Sequence, residues 1–149
     1  MVERKIHPMH FLTKEEKERV VAAIREVESN TSGEIRVALD HKVKGDVLLC
    51  AQKVFEKLGM TRTKHRNGIL IFLAVKDRAF AILGDQEIHK KLGDTYWKEA
   101  AAQMQSFFAR DEFGAGLEAA IQETGRELTR HFPREKDEPN ELPDKIDEN

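Results

Sequence analysis

The first clear hydrophobic pattern along the chain is helical. Thr13 and Glu16 have the spacing of a capping box, in which each side chain satisfies a free backbone N–H at a helix start. Apolar residues then recur every three or four positions, and the polar run 29–33 interrupts the pattern. The spacing therefore predicts a helix that begins after Thr13. Its apolar face consists of Val20, Ile24 and Val27.

Three segments have the pattern of β-strands. Residues 34–39 alternate between apolar and polar, which is typical of a strand covered on one face only. Residues 68–75 are almost entirely apolar and predict a central strand buried on both faces. Lys76 and Asp77 then predict a tight turn into a third strand over residues 78–83.

Further helices are predicted from caps and apolar spacing. Asp46 can cap a helix that ends at Gly59, where a left-handed residue is expected. Asp85 and Asp94 can each cap another helix. A last helix follows residues 110–112, and Gly125 inside it costs about 1 kcal/mol relative to alanine, which weakens the helical pattern there.

The order of these elements predicts a fold class. The first and second strands are joined by a helix and should run parallel, whereas a tight turn makes the second and third antiparallel. We therefore expect a three-layer α/β/α sandwich, a small mixed β-sheet covered by helices on both faces. One edge of the sheet then gathers Glu34, Asn67 and Asp85. The opposite edge gathers residues 40–41 and 76–78.

Length and composition limit the domain organisation. The 149 residues suit one domain, which we place at residues 11–132. Residues 1–10 show no regular spacing of apolar residues, so we predict a flexible arm there. Residues 133–149 are acidic, contain three prolines and hold little apolar surface, so we predict a disordered acidic tail.

Charge and cysteine content narrow the partners. The net charge of −2 predicts no nucleic-acid binding, and the basic loop at residues 61–67 has no aromatic residues that could stack on bases. The longest apolar run is residues 69–75, which predicts no direct membrane insertion, and no secretory signal is expected. A single cysteine, Cys50, cannot form an internal disulfide, so we expect a cytoplasmic protein.

The candidate chemistry is a set of oxygen ligands at the shared edge of the sheet. Calcium takes six to eight such ligands and tolerates loose geometry, whereas magnesium keeps more water. The alternative is structural, with Asp85 and Asp111 as helix caps and Glu87 in a favourable first turn. The predicted metal ligands are Glu34, Asn67, Asp85, Glu87 and Asp111.

Several of these segments also carry a family resemblance. They are Leu12-Thr13, Thr31–Ile35, Arg66–Ile71, Asp77-Arg78, Gly84–His89 and Asp111–Leu117. In order and spacing they resemble the TPM domain family, a thylakoid acid phosphatase-like domain, over residues 11–132. The resemblance implies a sheet between helices and, in some members, calcium binding or acid phosphatase activity. Other members resemble a Gly-x-Gly-Leu-Glu-Gly pattern where this chain has Gly84–His89, so the chain is similar to a cytosolic branch.

Three functions stay open from the sequence. The first is a module that binds a divalent cation, Ca²⁺ or Mg²⁺, with an interaction or regulatory role. The second is a metal-assisted acid phosphatase acting on phosphate monoesters, for which the loop residues Arg62, Lys64 and Arg66 could attract the anion. The third is a domain that binds only a protein partner, including a membrane-associated one. The phosphatase hypothesis lacks Cys-x5-Arg and Gly-Lys-Ser/Thr motifs, and Cys50 lies on the apolar side of a helix.

Overall fold

The computed structural model describes residue 4, residues 7–135 and residues 146–148. The helices are α1 (Pro8–Phe11), α2 (Lys14–Glu28), α3 (Val47–Lys57), α4 (Gln86–Leu92), α5 (Asp94–Phe108) and α6 (Phe113–His131), with a short 3₁₀ helix at Met60–Arg62. The strands are β1 (Ile35–Asp40), β2 (Ile69–Ala74), β3 (Ala79–Gly84) and β4 (Ile146–Glu148). Among the described residues, no helix is both long and apolar enough to cross a membrane.

One mixed sheet organises the domain, with the strand order β3-β2-β1-β4. Strand β1 is parallel to β2 and β4, and β2 is antiparallel to β3. All six residues of β2 are buried, which confirms the prediction of a central strand covered on both faces. The register aligns Ile35, Ile69 and Gly84 at one edge, so β1 and β2 begin where β3 ends, as the topology predicted.

Helices cover both faces of the sheet, so the predicted α/β class is confirmed. The larger core lies between the sheet and helices α2, α4, α5 and α6, and Phe11 of α1 also belongs to it. The smaller core lies on the other face, where α3 and the 3₁₀ helix contribute Phe55 and Met60 against Leu70 and Phe72. Strand residues alternate between the two cores, which fixes the face on which each side chain lies.

Local signals predicted most helix starts. The Thr13–Glu16 capping box is present at α2, and Asp46 caps α3. Helix α5 differs, because its N-cap is Gly93 with φ 80°, and Asp94 lies in its first turn.

The described residues of the predicted flexible arm, residues 1–10, contact the folded domain. Residues 8–11 form α1, and the Phe11 ring packs edge-on against Phe113 at 4.8 Å. The Arg4 side chain is only 2% exposed and donates hydrogen bonds to Glu16. The partners of Arg4 lie in distant elements, so the spacing of nearby residues does not reveal these contacts.

Within the predicted disordered tail, residues 133–149, residues 146–148 form β4. Residues 136–145 and 149 lie outside the described chain. Ile146 enters the larger core, and Glu148 lies 2.7 Å from the Lys17 ammonium. Pairing with β4 and cover from α3 also bury β1, which was predicted to be half-covered. One apolar residue is enough here because the edge of β1 supplies the backbone partners.

Helices α2 and α6 approach each other closely at glycine positions. A Cβ on Gly125 would lie 2.4 Å from a methyl group of Val27, and a Cβ on Gly114 would lie 2.7 Å from the Glu16 side chain. The helical cost of Gly125 is therefore offset by the packing that its missing side chain allows.

We predict that Gly125→Ala destabilises the fold by about 1–2 kcal/mol, because overpacking outweighs the gain in helix propensity. Urea unfolding of the variant measures this change. Val27→Ala removes the obstructing methyl groups, so the same glycine substitution should cost less in that background. A Gly125→Ala protein more stable than the parent would show that the two helices can separate without cost.

Candidate functional site

The predicted edge of the sheet exists and is formed by three neighbouring segments. We call it the rim, and it consists of Glu34, Asn67 and Asp85 with the loop 61–66. The Ile69 N–H donates to the Glu34 carbonyl oxygen, and the Asp85 N–H donates to the Gly68 carbonyl oxygen, both at 2.8 Å. These backbone bonds hold the starts of β1 and β2 beside the end of β3.

Asp85 is the most constrained acidic residue of the rim. Its carboxylate accepts hydrogen bonds from Arg66 Nε at 2.7 Å and from a terminal Arg66 nitrogen at 3.0 Å. It also accepts from the Gln86 N–H at 2.8 Å, which confirms its role as the cap of α4. The bidentate hydrogen bond to Asp85 raises the pKa of Arg66. The position predicted for a cation is thus faced by a guanidinium.

Among the described residues, the rim carboxylates do not form a cluster of three around Asp85. Asn67 is buried and donates to Ser32 Oγ at 3.4 Å. Alternation along the strands places Asn67 on the side of Ile69 and the larger core, whereas Glu34 and Asp85 lie on the opposite face. Glu87 lies in the first turn of α4, where Lys90 is 3.0 Å from its carboxylate.

Asp111 lies at the opposite edge of the sheet, so its predicted place beside Asp85 is wrong. Its carboxylate lies 3.2 Å from the guanidinium of Arg78, a residue of the β2–β3 turn, and 3.3 Å from the guanidinium of Arg4. Helix α5 has 15 residues and extends about 22 Å, so the loop that follows it cannot return to the rim where it began. Asp111 also has φ 61° and does not cap α6.

The cluster around Asp111 is centred on Glu16. The Glu16 carboxylate accepts from Arg4, from the Thr13 N–H of the capping box and from the Gly114 N–H at the start of α6. Burial raises the pKa of Glu16, but these hydrogen bonds and the Arg4 charge outweigh it and lower the pKa below its usual value.

The aromatic rings beneath this cluster add to its attraction for cations. The Arg4 guanidinium lies 5.0 Å from the centroid of the Phe113 ring, and that of Arg78 lies 4.9 Å from the same centroid. Burial lowers the pKa of Arg4, but the bond to Glu16 and the charges of Glu16 and Asp111 raise it overall. The cluster fastens Arg4 to α2 and α6.

No three histidine, cysteine, aspartate or glutamate side chains among the described residues lie close enough to hold a metal ion. The Asp85 carboxylate of the rim is paired with Arg66. Cys50 is half-buried on α3, and its thiol lies 3.4 Å from the Lys44 carbonyl oxygen. This environment suits a structural thiol.

Sequence analysis missed a polar contact beside the end of β3. The Trp97 Nε1–H donates to His89 Nδ1 at 2.9 Å, and His89 Nε2 lies 3.1 Å from Asp94. A groove of about 610 Å³ begins at these residues and extends along β3. The strand order expected from the sequence could have indicated this groove. It pairs β3 with β2 alone, and a strand with one pairing neighbour lies at an edge of the sheet.

Comparisons with known proteins agree with this architecture. The model of the family described as TPM domain matches residues 6–127. The NMR structure of BA42 protein from the psychrophilic bacterium Bizionia argentinensis is 42% identical, covers 93% of this chain and 95% of its own, and has a TM-score of 0.85. No curated protein sequence matches significantly.

Two more distant structures share the fold alone. The N-terminal domain of cg2496 protein from Corynebacterium glutamicum is 17% identical, with a TM-score of 0.62, over 78% of this chain and 74% of its own. An N-terminal domain from P. gingivalis is 14% identical, with a TM-score of 0.63, over 81% and 78%.

We predict that Glu16→Gln lowers the free energy of unfolding by about 2 kcal/mol at neutral pH, because charge-assisted hydrogen bonds to Arg4 are lost. A carboxyl group with a lowered folded-state pKa stabilises the fold above its unfolded pKa and loses that contribution as pH falls through the folded value. The two proteins should therefore converge in stability in acid. Urea unfolding at several pH values tests this, and a gap that persists below both pKa values would contradict it.

Proposed function

Because the chain belongs to the TPM domain family, we propose that it is a regulatory binding module, and that a divalent cation replaces Arg66 at Asp85. The single observation that supports this proposal is a nearly buried carboxylate, 6% exposed, whose two oxygens already hold a cationic group at the protein surface. The predicted location in the cytoplasm remains a prediction.

Arg66 is suited to such an exchange. Its side chain is 35% exposed, whereas that of Asp85 is 6% exposed, so the arginine can leave without opening the core. Its backbone has φ 50°, which is uncommon for a residue other than glycine and marks a sharp turn in the loop. A change in the Arg66 side chain therefore changes the surface of loop 61–66 and leaves the sheet in place.

The composition of the rim favours calcium over magnesium. Asp85 and Glu87 are the nearest carboxylates in sequence, and backbone carbonyl groups and water would complete the ligand set. Calcium accepts such irregular oxygen ligands, whereas magnesium demands a near-octahedral arrangement. With so few carboxylates, we expect weak binding, with a dissociation constant of about 10⁻⁴ to 10⁻³ M.

The regulatory role would follow from the exchange itself. When the guanidinium of Arg66 is released, a positive charge moves into solvent beside Arg62 and Lys64. An anionic surface on a protein partner could then bind this basic loop. In this proposal the cation controls an interaction, and no hydrolytic step is required.

We predict that calcium titration shifts the backbone amide signals of Asn67 and of residues 85–89 in ¹⁵N-correlated spectra at constant ionic strength. Arg66→Gln should bind calcium about threefold more tightly or better, because the competing cation is gone. Arg62→Gln removes an equal charge from the same loop and should change the affinity much less. Asp85→Asn keeps a capping side chain and should weaken binding by about tenfold.

Two results would overturn this proposal. One is the absence of amide shifts at millimolar calcium and magnesium, and the other is equal affinity in the Arg66 and Arg62 variants. Hydrolysis of para-nitrophenyl phosphate is assayed in parallel. Metal-dependent turnover that is lost in Asp85→Asn would favour the phosphatase hypothesis over a regulatory module.

A further inference from the structure

The outer edge of β3 carries backbone groups that face away from the sheet. The Asp85 N–H donates to the Gly68 carbonyl oxygen, so these two residues form a hydrogen-bonded pair of the antiparallel ladder. Such pairs alternate along two antiparallel strands. The register then directs the backbone groups of Leu83 and Ala81 toward β2. The N–H and C=O groups of Phe80, Ile82 and Gly84 point outward.

The strand lacks the usual protection of a sheet edge. Its sequence, Ala79–Gly84, contains no charged residue and no proline. Strand β4, at the other edge of the sheet, has three residues, of which Asp147 and Glu148 are acidic. Exposed edges are normally kept short, charged or covered. The β3 edge follows none of these patterns within the part of the chain that the structure describes.

Helices α3 and α5 flank this edge and form the walls of the groove. Val47 and Leu48 line one wall, and Trp97 and Ala101 line the other. Leu48 is 43% exposed although it is a large apolar side chain. Successive side chains of a strand point to opposite faces. A strand placed along β3 would therefore direct its side chains alternately to the α3 wall and to the α5 wall.

We propose that the β3 edge binds an extended segment of a partner protein, which adds a fifth strand to the sheet. The outward backbone groups of β3 require an extended occupant, because a helix has no free N–H and C=O groups along its length. The two apolar walls require apolar side chains on both faces of that segment. The bound stretch would span about five residues, one fewer than the six of β3.

Charge at one end of the groove adds a further requirement. Asp94 lines the groove beside Gly84, and its side chain is 87% exposed. A neighbouring depression that shares Gly84 is lined by Glu56. A basic residue of the partner, next to its apolar stretch, would lie near these carboxylates. Lys98 on α5 is the single lysine among the residues lining the groove.

A second copy of the chain fits this edge less well. Its own β3 would also lie between α3 and α5, and paired strands must approach to about 4.8 Å. Two recessed edges would bring the helices of the two copies together before the strands could pair. A single extended segment has no such walls and can enter the groove.

The test uses a fluorescein-labelled peptide, Lys-Lys-Val-Ile-Val-Ile-Val-amide, and the full chain. We expect saturable binding, with slowed amide exchange at Phe80, Ile82 and Gly84. Leu48→Ser should weaken binding by about fivefold. Leu49→Ser is the matched control, because Leu49 is 57% exposed on the same helix but does not line the groove. Both positions are exposed, so both variants should fold.

Modified peptides separate strand addition from nonspecific adhesion. Methylation of alternate amide nitrogens removes either the N–H groups that face β3 or those that face solvent. One of the two methylated peptides should lose about tenfold in affinity and the other little. Equal binding by both, or equal loss in Leu48→Ser and Leu49→Ser, would overturn the proposal. Concentration-dependent dimerisation that protects the same three amides without peptide would also overturn it, in favour of a second copy.

Discussion

The structure depends on one strand that has no polar side. Every residue of β2 is buried, so both of its faces need a helical layer and both of its edges need a paired strand. Helix α3 and the 3₁₀ helix cover one face, and residues of five helices pack on the other. This requirement places the start of β2 inside the rim and leaves β3 as the sheet edge. Both proposed sites therefore follow from the burial of a single segment.

Arginine side chains meet two of the four acidic residues that sequence analysis singled out. Asp85 is paired with Arg66, and Asp111 with Arg4 and Arg78. The two sites differ in exposure, since the Arg4 side chain is 2% exposed and that of Arg66 is 35% exposed. A buried guanidinium over aromatic rings is part of the core, whereas an exposed one can be exchanged. An arginine–aspartate pair can therefore stabilise the core at one edge of the sheet and exchange its cation at the other.

The sequence predicted the features that depend on neighbours within a few residues. Capping boxes, turns and the apolar run of β2 are of this kind, and they determined the fold class. The features that it missed depend on distant partners. Arg4 lies 107 positions from Asp111, and β4 pairs with β1 across almost the whole described chain. A single arginine, or a single isoleucine among acidic residues, has no local pattern that would reveal such a partner.

The pairing of β1 with β4 also has a consequence for biosynthesis. The ribosome makes β1 early, but the strand that covers its outer edge emerges only after five helices and two strands have followed. A nascent chain thus carries an apolar strand with one open side for most of its synthesis, at a stage when β2 and β3 can already associate with it. The pairing of β1 with β4 can form only after Ile146 has left the exit tunnel. Chaperones that bind extended apolar segments would have their longest opportunity at β1.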